Sequence, residues 1–347
     1  MANILIRVDN SPQVGMGHFN RCSALAYEFA KQNHNVFLVT SKASIIPAWV
    51  RNVYKYVLHV DNEWKTDSER VILNELKNIT DIDIIIVDTY KASRAYYEFI
   101  SDYAKVTAAF DDMGVSDVPV NILINGNIYA PKLPYSLYRS GTLLLLGTKY
   151  LALRPLFKNI KPIQIKKQAK KILITFGGSD ILNATPAVID TLVHNPGAGS
   201  NMEYNVLVGP GFTNIEQIKN AGKDYCNVKL IYNPENVADI MKEADIAISA
   251  AGSTVYELAC LGIPNIVFTV IDNQELIAKS MCEEKICLDG GFFETFRKEK
   301  FLDLVNKILD YDIRLDMHNR AISKFDAFGA SRCVNDIMQF AIESKDQ

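Results

Sequence analysis

The chain has 347 residues, 48% of them hydrophobic and 22% charged, a composition typical of globular proteins with ample core-forming residues. This length exceeds one ordinary domain and fits two of about 150–180 residues each. The net charge of −3, with both signs intermixed, excludes the electrostatic footprint of a nucleic-acid-binding protein. The sequence contains no run of about 18 consecutive apolar residues, so we expect no integral membrane segment.

Apolar strands alternate with amphipathic helices along the chain, a pattern typical of doubly wound parallel α/β sheets. In the first half we predict a helix over 17–32 and strands at 4–8, 35–40, 56–60, 82–87, 106–110, 120–124 and 142–146. In the second half we predict strands at 171–176, 204–208, 228–231, 246–249, 266–269 and 286–288. We therefore place an N-terminal domain at 1–157, a polar, lysine-rich linker at 158–170 and a C-terminal domain at 171–347. That second domain ends in a helical tail, the end of which could fold back over the first domain.

Two features bear on the compartment. The chain enters a strand at once, without the basic and apolar stretches of a signal peptide. Its six cysteines are scattered and lack partners at metal-ligand spacing, as is typical of reduced thiols. We expect a cytoplasmic monomer that binds no nucleic acid.

Polar or glycine-rich clusters follow strands in both halves, where parallel sheets bind their ligands. These clusters lie at 15–18, 88–90, 111–112, 177–180, 251–254 and 272–274. Turns also require Gly, Asp and Asn, so a single cluster does not decide between a turn and a site. Their shared placement predicts a site in a cleft between the two domains.

The segment 14–18 follows the first strand and opens a helix through Gly15 and Gly17. Bare N–H groups at a helix N-terminus attract phosphate, and the same dipole favours a neutral, basic imidazole at His18. His18 is therefore a candidate general base acting on a nucleotide-linked substrate. The alternative is that His18 is a surface or packing residue.

A second segment, 249–258, places Gly252, Ser253 and Thr254 at the start of a helix, with backbone and hydroxyl groups suited to a diphosphate. Glu257 follows Thr254 by three residues. It could close a capping box with Thr254, or accept hydrogen bonds from both hydroxyls of a ribose. Upstream, 236–241 offers backbone groups to a base.

These residues carry a resemblance. The motif residues at 236–246, 252–257 and 262–264 resemble the nucleotide-binding half of GT-B sugar-nucleotide enzymes. Together with 7–9, 14–22, 88–90, 110–112, 125–130 and 177–180, they resemble the UDP-2,4-diacetamido-2,4,6-trideoxy-β-L-altropyranose hydrolases of pseudaminic acid biosynthesis and their spore-coat polysaccharide relatives. The match runs from about residue 4 to residue 290. It implies a GT-B-like fold, with two Rossmann-type doubly wound domains facing a cleft.

The resemblance implies an inverting, metal-independent hydrolase without a cofactor, which cleaves the C1–O bond of a UDP-linked diacetamido sugar. It implies catalytic roles for His18, Tyr90 and Asn273, with His18 deprotonating the attacking water. The implied nucleotide-binding residues are Gly15, Gly17, Gly177, Gly178, Ser179, Val237, Met241, Gly252, Ser253, Thr254 and Glu257. The implied substrate-binding residues are Asp9, Arg21, Asn127 and Gln274. Because UDP needs little protonation to leave, helix N-termini can replace a general acid.

Several alternatives stay open. The chain could be a GT-B glycosyltransferase that uses a UDP-sugar donor, or a non-catalytic nucleotide-sugar-binding protein. Acidic residues at 9, 88, 111 and 112 also fit a two-carboxylate glycosidase, although either Asp9 or Asp88 could instead hold His18 in one tautomer. Cys22 could be a nucleophile or, as we favour, a small packing residue.

Overall fold

A computed structural model describes residues 1–10, 16–61, 64, 66–114, 118–135, 141–195 and 202–344 of the chain. The chain divides into two compact units. Unit 1 comprises Met1–Pro155 and Ala327–Gln347, and unit 2 comprises Leu156–Asp326. Within the described residues, none of the helices combines the length and the apolar character needed to cross a membrane.

Unit 1 is built on a seven-stranded parallel sheet. Its strands are β1 (Asn3–Val8), β2 (Asn35–Ser41), β3 (Tyr56–Val60), β4 (Ile82–Asp88), β5 (Ala104–Phe110), β6 (Ile122–Asn125) and β7 (Leu143–Leu146). Its helices are α1 (Gly17–Lys31), α2 (Ala48–Arg51), α3 (Thr66–Ile79), α4 (Arg94–Ser101) and the last helix of the chain, α12 (Gly329–Glu343). The strand order β3-β2-β1-β4-β5-β6-β7 reverses direction between β1 and β4. Such a reversal opens a crevice at the carboxyl ends of the two strands.

Unit 2 repeats this plan with six parallel strands. They are β8 (Lys171–Thr175), β9 (Glu203–Val208), β10 (Val228–Tyr232), β11 (Ile246–Ala250), β12 (Asn265–Thr269) and β13 (Cys287–Phe292), in the order β10-β9-β8-β11-β12-β13. The helices are α5 (Ala184–Val193), α6 (Ile215–Gly222), α7 (Val237–Met241), α8 (Ser253–Cys260), α9 (Glu275–Glu283), α10 (Lys298–Ile308) and α11 (Tyr311–Lys324). The predicted fold class, two doubly wound α/β domains, is confirmed.

The interior of both sheets consists of β-branched and other aliphatic side chains. In unit 1, Ile4, Ile6, Ile84 and Ile86 are fully buried beneath α1 and α12. In unit 2, Ile174, Ile246, Ile248 and Ile266 have the same role. Strands that bury both faces consist of near-continuous apolar runs, which is why their positions could be predicted closely.

The segment expected to be a linker, 158–170, belongs to unit 2. Asp245 accepts hydrogen bonds from the backbone N–H groups of Lys170 and Lys171 and pairs with the ammonium of Lys166 at 2.7 Å. The fully buried Arg314 donates to the carbonyl of Lys166 at 3.0 Å and to that of the next residue. The lysine-rich composition concealed this anchoring, because the backbone rather than the side chains makes most of it.

The end of the chain also differs from the expected division, since α12 packs on α1 in unit 1 rather than extending the second domain. Val334 and Ile337 are fully buried there, and Ser331 donates to Glu28 of α1 at 2.7 Å. Gly329 starts the helix so close to Leu151 that a Cβ would lie 2.1 Å from its carbonyl oxygen. The suggestion that the tail folds back over the first domain is thus confirmed.

Candidate active site

His18 lies in the first turn of α1, as the sequence predicted. The helix begins at Gly17 with Met16 as its N-cap residue, and the Met16 side chain makes no capping hydrogen bond. Gly15, expected to contribute to the same turn, lies outside the described residues. The N-terminal N–H groups of α1, at the positive end of the helix dipole, thus lie close to His18, and the Met16 side chain does not cap them.

His18 Nδ1 lies 2.6 Å from Asp88 Oδ1. Asp88 is the last residue of β4 and pairs in register with Val8, the last residue of β1, so the contact forms where the strand order reverses. The Asp88 side chain is 1% exposed and that of His18 is 12% exposed. Of the two candidates for orienting His18, the structure therefore selects Asp88.

Arg21, one helical turn after His18, joins two carboxylates. Its Nε and Nη2 donate to Asp88 Oδ2 and Oδ1 at 2.6 and 2.7 Å, and its Nη1 donates to Asp112 Oδ1 at 2.8 Å. The guanidinium also stacks over the ring of Phe110 at 4.3 Å. We expected Arg21 to contact the substrate; the structure engages three of its N–H groups with protein carboxylates.

Burial alone would raise the pKa of Asp88, but the charge of Arg21 and the hydrogen bonds from Arg21 and His18 outweigh it and hold the pKa far below its usual range. Burial likewise opposes the ionised form of Asp112, and Arg21 again lowers its pKa. Both side chains are consequently carboxylates at neutral pH, and an ionised carboxylate can only accept hydrogen bonds.

Tyr90 and Asn127 complete this array around Asp112. The Tyr90 hydroxyl donates to Asp112 Oδ2 at 2.7 Å, and its ring packs edge-on against His18 at 4.7 Å. Asn127 Nδ2 donates to Asp112 Oδ1 and to Asn125 Oδ1, both at 2.8 Å. Burial of its hydroxyl end and the neighbouring Asp112 raise the pKa of Tyr90, so its proton stays in place. The structure thus brings together four of the predicted residues: His18, Arg21, Tyr90 and Asn127.

Asp9 lies in a different cluster. Asp9 accepts hydrogen bonds from Arg7 Nη1 at 2.6 Å and from the Ser41 N–H at 2.7 Å. Arg7 in turn donates through Nε to Glu69 at 2.8 Å, and its guanidinium stacks over the Trp64 ring. No contact joins Asp9 to His18 among the described residues. Sequence reasoning missed this buried pairing because Glu69 lies 62 residues from Arg7.

The carboxylates do not form the pair that a glycosidase requires. A general acid needs a raised pKa, whereas the pKa values of Asp88 and Asp112 are lowered. Asp111 accepts from the N–H groups of the turn that follows it, at 2.9 and 3.0 Å. Cys22 is fully buried, and burial together with Asp88 raises the pKa of its thiol, which supports its role in packing.

In unit 2, a glycine loop follows β8. Gly177 has a φ of +79°, and a Cβ at Gly177 or Gly178 would have no described atom within 4 Å, so this backbone is open on one side. On the other side Gly209 packs so closely that a Cβ added to it would lie 2.6 Å from the Gly177 carbonyl oxygen. Gly211 N–H donates to the Gly178 carbonyl at 2.9 Å and lies beside Ser179. The Gly-Pro-Gly turn after β9 is the sequence signal for this support, and it was not among the predicted site segments.

The segment after β11 starts α8 at Ser253, with Gly252 as the N-cap residue. A capping box between Thr254 and Glu257 would require Thr254 in the N-cap position, so that alternative is wrong. Ser253 is exposed, Thr254 half-buried and Glu257 6% exposed. The first turn of α8 therefore presents its N–H groups and two hydroxyl-bearing residues.

Gln274 connects this segment to the one after β12. Its Oε1 accepts from the Val270 N–H at 3.1 Å, and its Nε2 lies 3.5 Å from where a Cβ of Gly252 would be. Asn273 is exposed in the 3-10 turn Asp272–Gln274 that precedes α9. The structure thus places Gln274 beside the predicted diphosphate segment.

The residues expected to hold the base lie in α7. Val237 begins this helix and is half-buried, whereas the side chain of Met241 is 1% exposed. The Asn236 side chain accepts from the Asp239 N–H at 3.3 Å and caps the helix. A contact between Met241 and a ligand would therefore have to come from its backbone.

Comparison with solved structures defines the class of fold. The MurG structure of Acinetobacter baumannii superposes with a TM-score of 0.71 at 14% identity, covering 98% of this chain and all of that one. A putative UDP-N-acetylglucosamine 2-epimerase from Listeria monocytogenes gives 0.71 at 12% identity, covering 98% and 97%. Residues 171–287 match the glycosyltransferase family 28 C-terminal domain. The chain therefore has the GT-B fold, two parallel-sheet α/β domains.

Three curated proteins are similar in sequence. "Uncharacterized protein MJ1062" of Methanocaldococcus jannaschii is 32% identical over 76% of this chain. The matched region covers only 55% of the length of that protein. The "Spore coat polysaccharide biosynthesis protein SpsG" of Bacillus subtilis is 27% identical over 98% of both chains. The "UDP-2,4-diacetamido-2,4,6-trideoxy-beta-L-altropyranose hydrolase" of Campylobacter jejuni is 24% identical over 79% of this chain and 94% of its own.

Proposed function

We propose that this protein binds a UDP-sugar and hydrolyses it, without a metal ion, at the bond between C1 and the diphosphate. The observation that carries this proposal is the contact between His18 and Asp88 at the strand-order reversal of unit 1. The similarity to the Campylobacter hydrolase supports the same reaction and a sugar of the 2,4-diacetamido-trideoxy class, and the similarity to the Bacillus spore-coat protein supports a role in polysaccharide biosynthesis.

His18 acts as the general base in this mechanism. Because Asp88 is a carboxylate, the His18 Nδ1 that faces it at 2.6 Å carries a hydrogen, which leaves the lone pair on Nε2. Nε2 takes a proton from water as the water oxygen bonds to C1 on the face opposite the diphosphate. The C1–O bond breaks, UDP leaves with the electron pair, and the imidazolium later releases its proton to solvent.

Unit 2 holds the nucleotide in this proposal. Glu257 accepts both ribose hydroxyls, and the backbone of Val237 and Met241 faces the base. The diphosphate is bound by the open glycine loop and the first turn of α8, at Gly177, Gly178, Ser179, Gly252, Ser253 and Thr254. The N–H groups at such positions stabilise the charge that develops on UDP, so no general acid is needed. Tyr90, Asn273 and Gln274 contact the sugar.

The test is to incubate the full chain with EDTA and no acceptor, supply a panel of UDP-sugars that includes 2,4-diacetamido-trideoxy sugars, and measure released UDP and free sugar. Selective release from a diacetamido sugar, abolished in His18→Asn with unchanged UDP affinity, is the expected result. Equal loss of UDP binding and of turnover in His18→Asn would overturn the role of His18 as the base.

A second function, a glycosyltransferase with a UDP-sugar donor, is favoured by the match of residues 171–287 to a glycosyltransferase domain. The same assay separates the two functions. A transferase binds UDP but releases it from the donor only when an acceptor is added, and the sugar then appears on the acceptor rather than free in solution.

A further inference from the structure

We propose that Arg21 is a positioning residue that sets the direction of the hydrogen bonds around His18, so that His18 Nε2 and the Tyr90 hydroxyl oxygen both face the substrate as acceptors. This inference rests on the proposed function, since it specifies which chemical groups of the sugar and of water the same site receives. It assigns Arg21 a role other than the substrate contact expected from the sequence.

The guanidinium of Arg21 is placed to hold two carboxylates at once. Two of its nitrogens form a fork on Asp88 at 2.6 and 2.7 Å, and a third reaches Asp112 at 2.8 Å. The side chain is 19% exposed and stacks on Phe110, which restricts its orientation. Arg is always charged and its planar fork matches a carboxylate, whereas Lys offers a point charge and cannot reproduce this geometry.

The two carboxylates then determine the direction of the hydrogen bonds that His18 and Tyr90 form with them. One positive charge lies between Asp88 and Asp112, which keeps both ionised and able only to accept. His18 Nδ1 must therefore donate to Asp88. Arg21 Nη2 also lies 3.2 Å from His18 Nδ1 and could donate to it if Nδ1 carried no hydrogen. In that case the lone pairs of Nδ1 and of Asp88 Oδ1 would face each other at 2.6 Å, which is unfavourable. The Tyr90 hydroxyl must likewise donate to Asp112.

What remains for a ligand is a pair of acceptors. With its hydrogen directed at Asp112, the Tyr90 oxygen can only accept, and His18 Nε2 carries a lone pair. The ring centroids of His18 and Tyr90 are 4.7 Å apart, and both side chains contact the carboxylates that Arg21 joins, so we place the two acceptors in one site. Tyr90 as a whole is 56% exposed. Water donates to Nε2, and the substrate group that meets Tyr90 must bring a hydrogen. An amide N–H or a hydroxyl of the sugar satisfies this requirement, whereas a carbonyl or phosphate oxygen does not.

The test reads the His18 tautomer directly, by nitrogen NMR of protein labelled with ¹⁵N-histidine at neutral pH and without substrate. The His18 signals are assigned by their absence in His18→Asn. We expect hydrogen on Nδ1 and a bare Nε2 in the wild type, and loss of this single tautomer in Arg21→Met and in Arg21→Lys. Arg94→Met, in which the lost guanidinium pairs with Glu98 on the surface of α4, is the matched control and should keep the wild-type tautomer.

A wild-type His18 with hydrogen on Nε2 would overturn the proposal, and so would an unchanged tautomer in the Arg21 variants. Arg21→Lys keeps the positive charge beside Asp88 but not the fork that holds Asp88 Oδ1 against His18 Nδ1, so it decides the question if Arg21→Met fails to fold by circular dichroism. These outcomes do not depend on turnover, so they stand even if the hydrolase assay fails. Where turnover is measured, Arg21→Met should lower kcat by at least ~10²-fold with unchanged UDP affinity, the lower end of what general-base catalysis contributes.

Discussion

Replacing Asp88 with Asn tests the proposed base with the least change in shape. The amide keeps one oxygen for Arg21 but loses the negative charge beside His18. If the amide oxygen takes the place of Oδ1, it still accepts from His18 Nδ1 and Arg21 Nη2 but brings no negative charge to an imidazolium. If the NH2 group takes that place, it faces Nδ1 and forces it to accept, which moves the ring hydrogen to Nε2. In that tautomer Nε2 cannot take a proton from water.

The size of the effect follows from the geometry. Asp88 Oδ1 and His18 Nδ1 are 2.6 Å apart and almost fully buried. For charge centres about 4 Å apart and an effective dielectric constant near 20, this carboxylate stabilises an imidazolium by ~4 kcal/mol and thereby offsets the positive charge of Arg21, whose Nη2 lies 3.2 Å from the same Nδ1. At ~1.4 kcal/mol per tenfold in rate, this corresponds to a loss of about 10³-fold in kcat. The value lies within the ~10²–10⁴-fold range of general-base catalysis.

The assay measures kcat for UDP release, the UDP dissociation constant by calorimetry and the fold by circular dichroism. Asp83→Asn is the matched control, because Asp83 lies on the same strand but pairs with Lys105 and the N–H of Asn3. We expect normal turnover in this control and unchanged UDP affinity in both variants. A folded Asp88→Asn protein whose kcat stays within about tenfold of the wild type would refute the reasoning.

Three further predictions concern unit 2. Gly178→Ala should weaken UDP binding and leave the melting temperature unchanged, because the added Cβ meets no described atom within 4 Å. Gly209→Ala should lower the melting temperature, because the added Cβ would lie 2.6 Å from the Gly177 carbonyl oxygen. The opposite pattern would contradict an open diphosphate loop. Glu257→Gln should weaken UDP binding about tenfold or more, as expected for a lost charged hydrogen bond, and remove the preference for UDP over 2′-deoxy-UDP in calorimetry. Arg314→Met should lower the free energy of unfolding in urea by about 3 kcal/mol or more, because this guanidinium makes two hydrogen bonds to the backbone of 166–167 and each such bond from a charged group contributes ~1.5–3 kcal/mol. An unchanged midpoint would show that the segment is held by other contacts.

Local patterns predicted most of the architecture. The strand predicted at 82–87 is Ile82–Asp88 in the structure, and the helix predicted at 17–32 is Gly17–Lys31. Apolar runs and helical periodicity report which faces of an element are buried, and this information lies within some ten consecutive residues. The polar clusters at the strand ends were found in the same way, so His18 could be singled out as a candidate base.

The partners of these residues required the tertiary structure. His18 contacts Asp88 rather than Asp9, although both follow apolar strands, because β4 lies beside β1 and Asp9 is paired with Arg7. The contact joins residues 70 positions apart, and no local pattern encodes such a separation. The anchoring of 158–170 and the packing of α12 on α1 are of the same kind. The sequence alone determined the helices and strands and the polar residues at their ends, because burial patterns are local. The topology of the sheets decided which of these polar residues meet, because it alone sets the distances between strands that are far apart in the chain.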